Sequence, residues 1–353
     1  MLLDRNENQY GPSPACRHVL RSADLHELSL YSRDYTRGIK SELSSRLGRL
    51  LGIPEERILL SYGSEDMLKQ VVHCYVHKGD TILLPRQSWW YYKSLAEEKD
   101  GHAVEYTLHE RNGQFVYDAD EIMALYDVHI PHVILIASPN NPTGNSIGPA
   151  DLARIVTHCI ESVVVLDEAY YGFSLDGNDH LRELLDVNHR LIVLRTFSKY
   201  YALAGLRIGY GCAGEGLSRL ATFSARYLGF NRLSEKIALA ALDDRAYYQE
   251  TAKKIREDKQ LYYEFFTECE GFTPFLSDAN FILVRYPVHM RQTLEQGLTE
   301  HGITVKFLDD PALRDCMRIT IGTREQDRYV LSVLDGLLSR HGRVRPALTT
   351  MRQ

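Results

Sequence analysis

Thr196-Phe197-Ser198-Lys199-Tyr200-Tyr201-Ala202-Leu203-Ala204-Gly205-Leu206-Arg207-Ile208-Gly209 follows the unbroken apolar run Leu191-Ile192-Val193-Leu194. An apolar run this short suits a strand covered on both faces of a parallel sheet. The lysine leaves a hydroxyl-rich turn at the strand's end, and one arginine lies about two helical turns beyond it. These groups are able to hold an aldehyde that carries a phosphate. The ε-amine condenses with the aldehyde, while the hydroxyls and the guanidinium hold the phosphate. Condensation needs an amine that can lose its proton, so the lysine must titrate below its free value of ~10.4.

Outward from this segment the same texture repeats. Val133-Ile134-Leu135-Ile136-Ala137 and Val163-Val164-Val165-Leu166 read as all-apolar strands. Thr81-Ile82-Leu83-Leu84 is a strand closed by Pro85, and Ile58-Leu59-Leu60 a shorter one. Helical spacing runs from Ile39 to Leu51 and from Glu65 to His77. Repeated β–α alternation predicts an α/β fold with a mostly parallel sheet. The texture changes after about residue 240. A charged helix from Ala246 to Glu268, a strand at 279–284, a helix from Leu294 to His301, a strand at 317–321 and a helix from Arg328 to Arg340 predict a smaller α/β C-terminal domain. The expected division is an arm at 1–30 that packs with the small domain and a dimer partner, a large domain at 31–245, a small domain at 246–342 and a basic, disordered tail at 343–353. The first thirty residues, rich in turn formers, read as an arm and not as a core element.

The 353 residues are 44% hydrophobic and 25% charged, enough for a large buried core. A net charge of -6 gives no reason to expect nucleic acid or an anionic membrane as a partner. No apolar run reaches the ~20 residues that span a bilayer, and the N-terminus lacks the pattern of a secretory signal. The six cysteines are scattered with no CxxC pair, so reduced thiols in a cytoplasmic protein are expected and no metal site is.

Four motifs fall at predicted strand ends, where open α/β sheets bind ligands. Tyr62-Gly63-Ser64-Glu65 opens a helix and offers free N–H groups to a phosphate, though Ser64 alone reads as a plain N-cap. Ser138-Pro139-Asn140-Asn141-Pro142-Thr143-Gly144 reads as a turn, or as a loop that sets the Asn141 amide against a ring hydroxyl. Asp167, in Val165-Leu166-Asp167-Glu168-Ala169-Tyr170, ends an apolar strand. A carboxylate there needs a partner, and a pyridinium N–H would serve, with a structural or metal-binding aspartate as the alternative. The fourth motif is the Lys199 segment. Trp89 adds a flat face able to cover a ring.

Together and in this order the motifs resemble the fold-type I pyridoxal-phosphate aminotransferases, nearest the histidinol-phosphate aminotransferase-like group. The resemblance runs from Leu3-Asp4-Arg5-Asn6-Glu7-Asn8 to Arg318-Ile319-Thr320-Ile321-Gly322-Thr323. It implies pyridoxal 5'-phosphate as cofactor, and an amino donor and a 2-oxo acid as the two substrates of a ping-pong exchange. It implies Lys199 as the Schiff-base lysine and proton carrier, and Asp167 as partner of the pyridine nitrogen. Asn141 and Tyr170 would meet the ring oxygen, and Trp89 would stack on the ring. Gly63, Ser64, Glu65 (through its backbone N–H), Thr196 and Arg207 would hold the phosphate. Tyr31 would reach the phosphate of a second subunit, which implies a homodimer. Arg318, Lys306 and Asn8 are implied at the substrate. Tyr31-Ser32-Arg33 stands where the family has Tyr-Pro-Asp, and Lys306 stands near a position often occupied by arginine. Histidinol phosphate, an aromatic amino acid or another amine stay open as donor. Two other activities are weighed: a decarboxylase of phosphorylated amino acids on the same fold, and a dinucleotide-dependent oxidoreductase using the GxGxxG string Gly209–Gly214.

Overall fold

The structure, a computed structural model, describes residues 1–174 and 180–339. Seven strands form the larger sheet: β1 (Ile58–Ser61), β2 (Thr81–Pro85), β3 (His102–Tyr106), then, after the hairpin β4 (His109–Arg111) and β5 (Gln114–Val116), β6 (Val133–Ala137), β7 (Val163–Asp167), β8 (Leu191–Thr196) and β9 (Gly209–Ala213). Their order is β1-β9-β8-β7-β6-β2-β3. Every residue of β6, β7 and β8 is buried, as strands covered on both faces require. β9 runs antiparallel to both of its neighbours, and the other strands share one direction. The carboxyl ends of β1, β2, β6, β7 and β8 therefore meet at one edge of the sheet. β9 starts from that same edge, with Gly209 opposite both Ser61 and Thr196.

The Gly209–Gly214 string is thus a strand and not a phosphate loop leading into a helix, which removes the dinucleotide reading. Its glycines answer to space. A Cβ on Gly209 would lie 2.7 Å from the Gly63 carbonyl carbon, and one on Gly211 would lie 2.8 Å from Ile192 Cδ1.

The smaller sheet is antiparallel, in the order β10-β11-β13-β12: β10 (Thr273–Phe275), β11 (Phe281–Arg285), β12 (Lys306–Phe307) and β13 (Cys316–Thr320). The helices Arg245–Thr267, Arg291–Glu300 and Arg324–Ser339 pack with it. The arm packs against the smaller sheet, but it differs from expectation in holding core residues and a helix, Pro14–Arg21. Ser13 caps that helix by accepting from Cys16 N, and Pro14 opens it. Only Cys16 of its residues is buried, so the composition of the segment hides the one packed face. Leu3 is fully buried in the cluster that joins the smaller sheet to Tyr170 and Phe173. Its N–H donates to Thr304 O at 2.8 Å and its carbonyl accepts from Thr320 N at 3.0 Å. The expected basic tail, and the last residue of the expected final helix, lie outside the described residues.

Candidate functional site

Three chain segments converge at the edge near β1. Gly63 has φ +90° and precedes the helix Ser64–Tyr75, whose first-turn amides have no partner within the helix. A Cβ on Gly63 would lie 2.8 Å from Arg207 Nη2, and one on Gly209 would lie 2.7 Å from Ser64 N. No side chain has room in this cradle. Thr196 Oγ1 donates to Ser198 Oγ at 2.9 Å and accepts from Ser198 N at 3.1 Å. Arg207 Nη1 reaches Ser198 Oγ at 3.4 Å, and Nη2 reaches the Tyr62 carbonyl at 3.3 Å. A helix N-terminus, two hydroxyls and a guanidinium around a space that admits no Cβ suit a phosphate dianion. The Glu65 side chain was not expected to take part, yet its Oε2 lies 3.4 Å from Arg207 Nη2.

Asp167 closes β7 and is 7% exposed. Tyr92 donates to its Oδ2 at 2.9 Å, and the Ala169 N–H to its Oδ1 at 3.0 Å. Burial lifts its pKa from 3.8 to about 6, against those two hydrogen bonds. The Trp89 ring stands edge-on to that of Tyr92 at 5.9 Å, while Trp90 is exposed.

Lys199 follows β8 and is partly buried. Its Nζ donates to the Arg5 carbonyl of the arm at 2.6 Å and lies 5.8 Å from the Tyr170 ring centre. Burial first, then the positive charge of Arg318, lowers its pKa to about 8, with Glu7 opposing. The Tyr170 hydroxyl accepts from Asn6 Nδ2 at 2.8 Å, which leaves its own proton to give. Arg318, on β13 and 8% exposed, donates to Asn141 Oδ1 and to the Asp4 carbonyl, while its Nε has no partner. Lys306 is the register partner of Arg318 across β12 and β13, so the two leave the same face of the sheet, Lys306 into solvent. Asn8 Nδ2 donates to the Tyr200 carbonyl at 3.0 Å and pins the arm beside Lys199. Tyr31 is 70% exposed and makes no hydrogen bond to this cluster among the described residues.

Lys199, Asp167, Tyr170, Asn141, Trp89 and Arg318 thus share one edge, and Gly63, Ser64, Glu65, Thr196 and Arg207 share its neighbouring cradle. Sequence reasoning missed Tyr92 and Asn6, and took Ser198 only as one of the hydroxyls of the turn before Lys199. The unusual run Trp89-Trp90-Tyr91-Tyr92 was the only visible signal for the first.

The family described as aminotransferase class I and II matches residues 1–334. The histidinol-phosphate aminotransferase of Ruminiclostridium cellulolyticum is 34% identical over 333 residues, covering 94% of this chain and 91% of that protein. The enzyme of the same name from Bacillus subtilis (strain 168) is 30% identical over 338 residues, covering 95% and 91%. Among solved structures, the histidinol-phosphate aminotransferase of Sinorhizobium meliloti in complex with pyridoxal-5'-phosphate superposes with a TM-score of 0.86 at 23% identity, covering 97% of this chain and 91% of that one.

Proposed function

The chain belongs to the class I and II aminotransferases, and from that premise we propose that it transfers the amino group of histidinol phosphate to a 2-oxo acid. It is a pyridoxal-phosphate-dependent aminotransferase. The residues fit that cofactor. The cradle that admits no Cβ would take the phosphate on the amides of Ser64 and Glu65 and on Thr196, Ser198 and Arg207. Asp167, buried with no ion pair among the described residues, would take the ring nitrogen. Asn141 and Tyr170 would meet the ring oxygen, and Trp89 would cover a ring face. When bound, pyridoxal phosphate supplies a carbonyl for amines and a ring that draws an electron pair away from the donor carbon.

The protein's own residues supply position and proton transfer. Asp167 carries the charge that favours a protonated ring nitrogen. Lys199, with its pKa brought to about 8, is able to take a proton from the donor carbon at neutral pH and return it. Arg318 waits with an unpaired Nε and would hold the donor's anionic end. Lys306 on the same sheet face supports a doubly charged anion, such as a phosphate monoester.

The half-satisfied, buried Arg318 beside Lys199 carries the reading of an anionic donor, and the two relatives above support histidinol phosphate in particular. Cofactor-loaded protein mixed with histidinol phosphate, histidinol or an aromatic amino acid tests it, through loss of the bound cofactor's visible absorbance. Histidinol phosphate should act at least about tenfold faster than the others, the equivalent of ~1.4 kcal/mol. An aromatic amino acid that outruns it overturns this choice of donor.

We further propose a homodimer in which Tyr31 reaches the partner's phosphate cradle. Exposed Tyr31, Tyr35, Tyr227 and Leu228 near one another support it, with Ser32 N bound to the Leu228 carbonyl at 3.2 Å. All six cysteines are free, which supports a reducing, cytoplasmic setting.

A further inference from the structure

Tyr92 is 2% exposed and lies in the first turn of the helix Tyr91–Glu98. Its hydroxyl donates to Asp167 Oδ2 at 2.9 Å. Two other phenols, Tyr106 and Tyr117, are buried close by, but they spend their protons on backbone. Tyr106 donates to the Leu135 carbonyl at 2.9 Å, and Tyr117 to the Ala137 carbonyl. Glu168 also faces Asp167, but it is held by Arg195 Nε at 2.7 Å. Tyr170 faces Asp167 too, and its hydroxyl is engaged by Asn6. Among the described residues, Tyr92 is therefore the one side chain that donates to Asp167. The remaining donor, Ala169 N–H, fixes Oδ1 through the backbone. The pair of donors sets the carboxylate plane and leaves lone pairs toward the site.

We propose that Tyr92 is a positioning residue, holding Asp167 ionised and turned so that its carboxylate meets the protonated ring nitrogen of pyridoxal phosphate. This rests on the cofactor reading. The donated hydrogen bond stabilises the charged carboxylate over the neutral acid, so burial alone does not decide Asp167's state. A space-filling role for Tyr92 needs only the ring, whereas this role needs the hydroxyl.

Tyr92→Phe removes one oxygen and leaves the packing, so it separates the two roles. The protein loaded with ring-¹⁵N pyridoxal phosphate is titrated from pH 5 to 9. The nitrogen signal reports ring protonation, and equilibrium dialysis reports cofactor affinity. Phenylalanine should move the midpoint of the acid limb up by about one pH unit and weaken cofactor binding about tenfold at pH 6, with a smaller loss at pH 8.5. KM for the donor should hold while kcat falls. A fluorotyrosine at position 92 is a stronger donor with the same shape, and it should move the midpoint down. Midpoints and affinities that match wild type in both variants overturn the proposal while leaving the cofactor reading intact. A wild-type protein that fails to bind pyridoxal phosphate overturns both.

Discussion

At Lys199, burial and charge act in the same direction. Removal from water disfavours the ammonium, and the Arg318 guanidinium disfavours it further, so the amine titrates near 8 where 10.5 is ordinary. In cofactor-free protein an amine-directed reagent should modify Lys199 with a midpoint near that value. Arg318→Gln removes the second cause and should raise the midpoint, with the burial contribution left in place. A midpoint unmoved by that substitution would remove Arg318 from the account. Asp167 stood out in sequence because it ends an unbroken apolar run, where a charged residue needs a reason, and Lys199 because it leaves the hydroxyl-rich turn that follows another such run. Tyr92 and Asn6 did not stand out. Tyr92 reaches a carboxylate 75 residues away and Asn6 a hydroxyl 164 residues away, and no local pattern encodes such a reach.

Among the elements, β6, β7 and β8 were read from their apolar runs within two residues of their observed ends; the runs stop short where β7 closes in Asp167 and β8 in Arg195-Thr196. β9 was missed for the opposite reason. Its sequence Gly-Tyr-Gly-Cys-Ala is poor in strand formers, and the glycines are there to let the Ser61–Ser64 turn and Ile192 approach. The helix Arg324–Ser339 carries a second buried carboxyl worth testing. Asp327 is fully buried, and its Oδ1 accepts from Gly322 N and Tyr262 OH, both at 2.8 Å. Burial, opposed by those bonds and reinforced by Asp258, lifts its pKa from 3.8 to about 7. Between those values the folded chain keeps a proton that the unfolded chain has released, so stability falls as pH rises through that window. Asparagine accepts the same two bonds without a charge. Asp327→Asn should therefore flatten the decline and stabilise the protein at pH 8 by on the order of 1 kcal/mol in denaturant unfolding. A variant with the wild-type pH slope would refute this assignment.

The described residues form two main sheets and the β4–β5 hairpin, with the N-terminal arm laid across the junction of the two sheets. The alternation of strands and helices made the α/β class legible, and the change of texture after residue 240 announced the second sheet. The arm's course was not legible, since its hold on the site is a series of backbone contacts: the Arg5 carbonyl to Lys199, the Asp4 carbonyl to Arg318. Carbonyls look alike in every sequence. The proposed pairing of two copies makes a prediction at this scale. The thermal midpoint should rise with protein concentration, and Tyr35→Glu on the exposed face should lower it and remove that dependence. A concentration-independent midpoint would mean a monomer. The crowding at Gly63 and Gly209 limits what can be substituted there. Gly209 is confined by backbone atoms, which no neighbouring substitution can trim away, so a side chain there must displace the main chain of the Gly63–Ser64 turn. Arg318, Lys306 and the arm belong to other segments and are free of that confinement. On the proposed reading, substitutions in the small sheet and the arm would change the choice of donor, whereas those at Gly209 would disturb the backbone itself.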